Sequence, residues 1–116
     1  MLTIIIPISF LVKFLNNLKV DAVKIHMLHI LKGTKIENLY EKDKFHILTK
    51  EEYIDIVCKQ LMILNPDIVV HRLTGDPKKE DLIAPLWALK KIDILNGVVK
   101  KLKKDGTYQG IYYEKN

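Results

Sequence analysis

Cysteine occurs once in the 116 residues, at Cys58, so no internal disulfide is possible, and the chain reads as a protein of a reducing compartment, the cytoplasm. Neither CxxC nor HExxH is present, which removes the commonest zinc spacings. Glycine and proline number only 5 and 4, and acidic and basic residues are mixed along the chain, which excludes a flexible linker, a collagen-like repeat and a disordered tail. Long apolar runs are also lacking. The most apolar stretch, Met1 to Leu18, is interrupted by Pro7 and Lys13 and has no basic region ahead of it. The 12 residues before Lys13 fall short of the roughly 18 that a spanning helix needs, so no membrane partner is expected, and the stretch reads as a strand followed by an amphipathic helix. Ile4, Ile5 and Ile6 then call for a partner surface, as in a chain whose natural beginning lies further upstream.

What is present suits one small globular unit. Apolar residues make up 48% of the chain, enough for a modest sheet covered by helices. The formal charge is +5, with much of the excess in Lys100, Lys101, Lys103 and Lys104. Such a run suits a solvated helix C-terminus, where lysine meets the negative end of the helix dipole; it would also attract a phosphate backbone, so nucleic acid is an alternative partner.

The chain has a βα cadence. Phe10, Leu11, Phe14, Leu15 and Leu18 fall on one helix face, and Val20 to Leu28 follows as a strand with Val23, Ile25 and Met27 on one side and Ala22, Lys24, His26 and Leu28 on the other. The stretch from Ile30 to Phe45 is expected as loop with a short helix around Ile36 to Tyr40. Thr49 and Glu52 form a capping box at the head of a helix that places Tyr53, Ile56, Val57, Leu61 and Leu64 on one face and stops at Asn65 and Pro66. Ile68, Val69 and Val70 are apolar on both faces, the pattern of a strand inside a sheet. A last helix is expected from Pro85 or Trp87 to about Lys104, burying Ile92, Leu95, Val99 and Leu102. Tyr108 to Tyr113 reads as a short strand or a lid on a neighbouring surface.

Polar residues collect just after the two strands. His26, His29 and Lys32 follow the first; His71, Arg72, Thr74 and Asp76 follow the second. In βα folds ligands gather at the carboxyl ends of strands, so the two groups would share a pocket if the strands are neighbours. Arg72, emerging from an apolar strand, must face an anion or pair with Asp76 or Asp21, because a buried lone charge is costly. His71 is either an acid, base or donor to a ligand ring, or a neutral histidine bonded to backbone. Thr74, Gly75 and Asp76 could grip a ribose or amino acid, or form a turn with its own hydrogen bonds. Lys32, Gly33 and Thr34 only superficially resemble the end of a phosphate loop, and the glycine five residues upstream is missing, which excludes a nucleoside triphosphatase of that type. His26 and His29 sit on a strand and its exit and need not face one way, and with no carboxylate at a fitting spacing no metal site is assigned. Cys58 is expected as a buried core thiol, with a nucleophile as the alternative. Trp87 wedges helix against loop or faces a substrate.

Taken together, Val23-Lys24-Ile25-His26-Met27-Leu28-His29-Ile30-Leu31-Lys32-Gly33-Thr34, Glu51-Glu52-Tyr53, His71-Arg72-Leu73-Thr74-Gly75-Asp76, Ala84-Pro85-Leu86-Trp87, Leu95-Asn96 and Gln109-Gly110 resemble the C-terminal part of a family of radical S-adenosylmethionine proteins described as predicted iron-sulfur oxidoreductases. The resemblance implies an α/β fold that is the C-terminal portion of a partial (β/α) barrel, incomplete on its own. It covers residues 20–110, with residues 1–19 as an atypical apolar start and 111–116 as a tail. It also implies that the complete enzyme binds S-adenosylmethionine across the strand tops and a 4Fe–4S cluster through CxxxCxxC, which this chain lacks. By this likeness Arg72, Thr74, Asp76 and His71 are cofactor contacts, and His26, His29, Lys32 and Trp87 face substrate. The expected function is a fragment or subunit of a radical enzyme, inactive alone, whose partner is a polypeptide bearing the cysteine motif or a second copy joined through an open sheet edge or the apolar N-terminus. A small nucleic-acid or protein-binding module using the basic helix is the alternative.

Overall fold

The alternation Val23, Ile25, Met27 decides how the chain folds: these three side chains are 0%, 1% and 3% exposed, and everything else is arranged around that strand. The computed structural model describes residues 2–5, 9–18, 20–43 and 45–114, with 2–5 and 9–11 described by backbone alone. Strand β2 (Ala22–His26) is the centre of a three-stranded parallel sheet in the order β1-β2-β4, flanked by β1 (Leu2–Ile5) and β4 (Val69–Arg72). The segment expected to need a partner surface therefore finds one in β2, as far as Ile5; Ile6 and Pro7 lie outside the described residues, as do the side chains of Phe10 and Leu11.

The inner face of β2 shares one apolar core with Val12 and Leu15 of α1 (Ser9–Asn16) and with Tyr53, Val57 and Leu61 of α3 (Lys50–Ile63). Helix α3 begins where the capping box predicts: Thr49 Oγ1 accepts from the Glu52 N–H at 3.1 Å, and Glu52 Oε1 accepts from the Thr49 N–H at 2.9 Å. Its other end is tied off completely. The last four carbonyls of a helix have no partner within it; here those of Gln60, Leu61, Met62 and Ile63 accept from the Leu64 N–H, the Gly110 N–H, the Tyr112 N–H and the Asn16 side-chain amide, at 2.8–3.1 Å. The tyrosine tail is thus a series of turns over the end of α3, not a strand, and Gln109 adds bonds to the carbonyls of Asn65 and Ile68.

Between the strands the chain builds more than expected. Ile30 to Phe45 holds not only α2 (Lys35–Lys42), capped by Thr34, but also β3 (Ile30–Leu31), which pairs antiparallel with β5 (Leu82–Ala84). Gly33, at φ +79°, makes the turn between β3 and α2, so the Lys32-Gly33-Thr34 stretch serves as a helix entry.

Two expectations about packing are corrected. Strand β4 is an edge, not an interior strand, among the described residues: Val70 turns inward beside Val23, whereas Val69 is 56% exposed. The final helix starts later and turns a different face inward. A 3-10 turn (Leu86–Leu89) precedes α4 (Lys91–Lys104), which buries Ile94 and Val98 and leaves Ile92, Leu95 and Val99 exposed. Gly97 explains the choice, since a Cβ there would lie 2.4 Å from Ile54 Cδ1; only the glycine face lets α4 approach α3 this closely.

Candidate functional site at the strand ends

Strands β2 and β4 are hydrogen-bonded parallel neighbours, so their carboxyl ends open on the same side. The structure brings His26 and His29 together there, with ring centroids 4.5 Å apart, so the doubt that they face one way is settled by geometry. His26 Nδ1 lies 2.5 Å from the Met27 carbonyl oxygen. A carbonyl only accepts, so Nδ1 carries the proton, and in the neutral ring Nε2 keeps its lone pair. Gly75 sits against that nitrogen: a Cβ at this position would fall 2.2 Å from His26 Nε2 and 2.5 Å from His29 Cε1. Glycine is required here for close approach of the β4 exit to the histidine pair.

Met27 lies beneath the pair. His29 Nε2 is 2.9 Å from its sulfur, and the buried Thr74 hydroxyl is 3.6 Å from the same atom. Burial, and after it the neighbouring His26, lowers the His29 pKa to about 4, so His29 is neutral at pH 7. The cluster therefore offers a neutral, partly desolvated acceptor and two rings to stack on, a setting for hydrogen bonding or proton transfer with a ligand rather than for charge pairing.

The remaining expected site residues lie apart from this cluster or at its rim. Arg72 and His71 are exposed on the edge strand, so Arg72 has no buried charge to compensate; the argument for a forced pairing fails because β4 has no strand beyond it among the described residues. A register shift sets Arg72 opposite Lys24, with His71 as the extra residue. Asp76 is held by Lys91, 2.7 Å away at the start of α4, and that hydrogen bond, together with the charges of Lys91 and then Arg72, lowers its pKa. Lys32 has an exposed side chain, and its N–H donates to the Asp81 carbonyl at 2.8 Å. Trp87 donates its indole N–H to the Leu48 carbonyl at 2.9 Å and lies 5.5 Å from the Tyr53 ring, which makes it a fixed wall.

Sequence reasoning placed Met27 on one face of a strand and left Gly75 between a ligand grip and a turn; both residues belong to the cluster, and only the adjacency of β2 and β4 reveals it. Lys91 carried no signal, since its partner Asp76 is fifteen residues away across a loop and a strand. Cys58 is a buried free thiol beside the Val98 carbonyl, its pKa pushed by burial to about 11, which suits packing and not nucleophilic attack. Lys101 is taken up by Asp55 at 3.6 Å and Asp105 at 3.7 Å, whereas Lys100, Lys103 and Lys104 are exposed. Among the described residues no three His, Cys, Asp or Glu side chains are placed to hold a metal, and no helix is long and apolar enough to cross a membrane.

A mixed α/β chain with small sheets and a polar cluster at the ends of parallel strands is the class of protein defined so far. The chain belongs to the Radical_SAM C-terminal domain family, whose sequence model matches residues 20–104. Among curated proteins it is 41% identical to the uncharacterized protein YtqA of Bacillus subtilis over 103 residues, which are 89% of this chain and 32% of YtqA. It is 40% identical to the uncharacterized protein MJ0486 of Methanocaldococcus jannaschii over 99 residues, 84% of this chain and 31% of that protein. Similarity extends, at 29% over 68 residues, to protein YhcC of Escherichia coli K12, where it covers 59% of this chain and 22% of YhcC. The chain thus spans about a third of the length of the first two of these relatives.

Proposed function

We propose that this chain forms the late wall of a radical S-adenosylmethionine enzyme: a partial (β/α) barrel completed by a polypeptide that carries CxxxCxxC, with the pocket closing over the ends of β2 and β4. The observation that carries the reading is the meeting of His26, His29 and Gly75 at those two strand ends, supported by the open edges of β1 and β4, each with one strand neighbour among the described residues.

The residues of this chain do not fit a 4Fe–4S cluster, because its single cysteine is buried between α3 and α4. Such a cluster would be held by the other polypeptide and would supply the redox chemistry from there. The surface offered here suits S-adenosylmethionine in part: Arg72 and His71, exposed at the edge, reach toward an anionic or polar group, while Thr74 fixes the pocket floor through Met27 and Asp76 holds the rim to Lys91. His26 and His29, with ring centroids 4.5 Å apart, offer their ring faces toward substrate, while Gly75 covers the His26 Nε2 edge. Lys32 and Trp87 bound the substrate side further out. Alone, such a chain is inactive.

The test is calorimetric titration with S-adenosylhomocysteine, which the radical chemistry does not consume. The chain is measured alone and mixed with a polypeptide carrying CxxxCxxC and the early βα units. The mixture is expected to bind roughly tenfold tighter, or more, than the chain alone, and Arg72→Ala to weaken binding in the mixture by about tenfold with an unchanged melting temperature. Failure of the two polypeptides to associate, or equal affinity with and without the partner, overturns the reading. The open strand edges equally favour pairing with a second copy, and the mass of the chain alone in solution separates that arrangement from the mixed one.

A further inference from the structure

Behind the histidine cluster, on the other side of Met27, lies an apolar cleft of about 240 Å³ between the end of β2, the segment 46–48 that leads into α3, and the Pro85 corner. Met27, Leu28, Ile47, Ile56, Pro85 and Trp87 form its walls. We infer that this cleft is a binding site for a neutral ring or branched hydrocarbon group, about the size of an indole.

Three observations select that class of ligand. The first is polarity. Trp87 N–H and the Leu48 carbonyl, which border the cleft, satisfy each other at 2.9 Å. The one titratable lining residue, His46, is paired with Glu52 at 2.9 Å, with its side chain 67% exposed at the mouth. A charged or strongly polar ligand would be desolvated without compensation, whereas an apolar one loses nothing. The second is size: apolar cavities of about 150 Å³ admit benzene, so 240 Å³ suits a ring with several further carbons. The third is rigidity. Trp87 is fixed at its N–H by Leu48 and along its ring by Tyr53, whose hydroxyl in turn donates to the Leu73 carbonyl at 2.8 Å. The cleft wall is therefore already formed, and a ligand need not order it.

Met27 is the partition between the two sites: its side chain lines the cleft while its sulfur touches His29 and Thr74. A molecule with an apolar group seated in the cleft would present its other end to the histidine pair. The cleft itself is formed wholly by this chain and does not rest on the radical-enzyme reading.

The test uses indole, indole-3-acetate and naphthalene as probes on the whole chain, followed by backbone amide and Trp87 indole N–H shifts. Indole is expected to give saturable shifts at Leu28, Ile47, Leu48, Ile56 and Trp87, with indole-3-acetate bound roughly tenfold more weakly because its carboxylate has no partner. Ile56→Trp fills the cleft and should abolish the indole shifts while the rest of the spectrum is retained; Ile56→Ala enlarges it and should shift the preference towards naphthalene. Linear, non-saturating shifts, shifts centred elsewhere, equal affinity for the acetate, or unchanged binding in both Ile56 variants would overturn the inference. A failure here leaves S-adenosylhomocysteine binding by the mixed polypeptides intact, and success does not depend on it.

Discussion

Strands β2 and β4 run side by side in one sheet and each ends in a polar cluster, yet they hold their clusters in opposite ways. Strand β2 is central, with one face locked into the core, and its histidines are fixed by backbone, sulfur and ring contacts. Strand β4 is an edge with His71 and Arg72 in solvent. The difference teaches that two similar strand-end motifs can differ in preorganisation: a ligand would meet a finished surface at β2 and an adaptable one at β4.

The comparison breaks most sharply under truncation. Ile25→Ala removes a side chain 1% exposed and is expected to cost about 2–5 kcal/mol in urea unfolding, whereas Val69→Ala on β4 should stay within about 0.5 kcal/mol. Equal losses would show that β4 is covered in solution, by a partner strand or another copy. Gly75→Ala tests the contact between the strands: the new Cβ has to displace His26, tied as it is to Met27, at about 1–3 kcal/mol, and should separate the two imidazole rings in a nuclear Overhauser measurement. If the rings stay together, the cluster is looser than its distances imply. The effect of pH is expected to fall below those of Ile25→Ala and Gly75→Ala. The folded-state pKa of His29 lies at about 4, below its ordinary 6.5, so the stabilisation from keeping it neutral is complete above about 6.5 and is lost as pH falls towards 4. Because the ring is partly open to solvent, the loss should be on the order of 1 kcal/mol, and His29→Gln should flatten that part of the stability profile.

Much of this could be read from the sequence where a local pattern has a local cause. The Thr49 and Glu52 capping box and the alternation along β2 are of that kind, since each needs only neighbours within a few residues. The β3–β5 pairing was not legible, because two residues and three residues carry no periodicity and their partners lie about fifty positions apart. Helix α4 failed for another reason. It has two apolar stripes, one through Ile92, Leu95 and Val99 and one through Ile94 and Val98, and periodicity alone ranks the longer stripe first. The decision was made by Gly97 and the shape of Ile54. For the site, proximity of β2 and β4 turned a plausible pocket into a specific trio of His26, His29 and Gly75, and it detached Lys32 and Trp87 from it.

The turns laid over the end of α3 bear on where this unit should be considered to stop. The family model matches residues 20–104, but the bonds that complete α3 come from Gly110 and Tyr112. Any transplant of this module into another protein must therefore carry the tyrosine turns along, or leave two helix carbonyls looking for water.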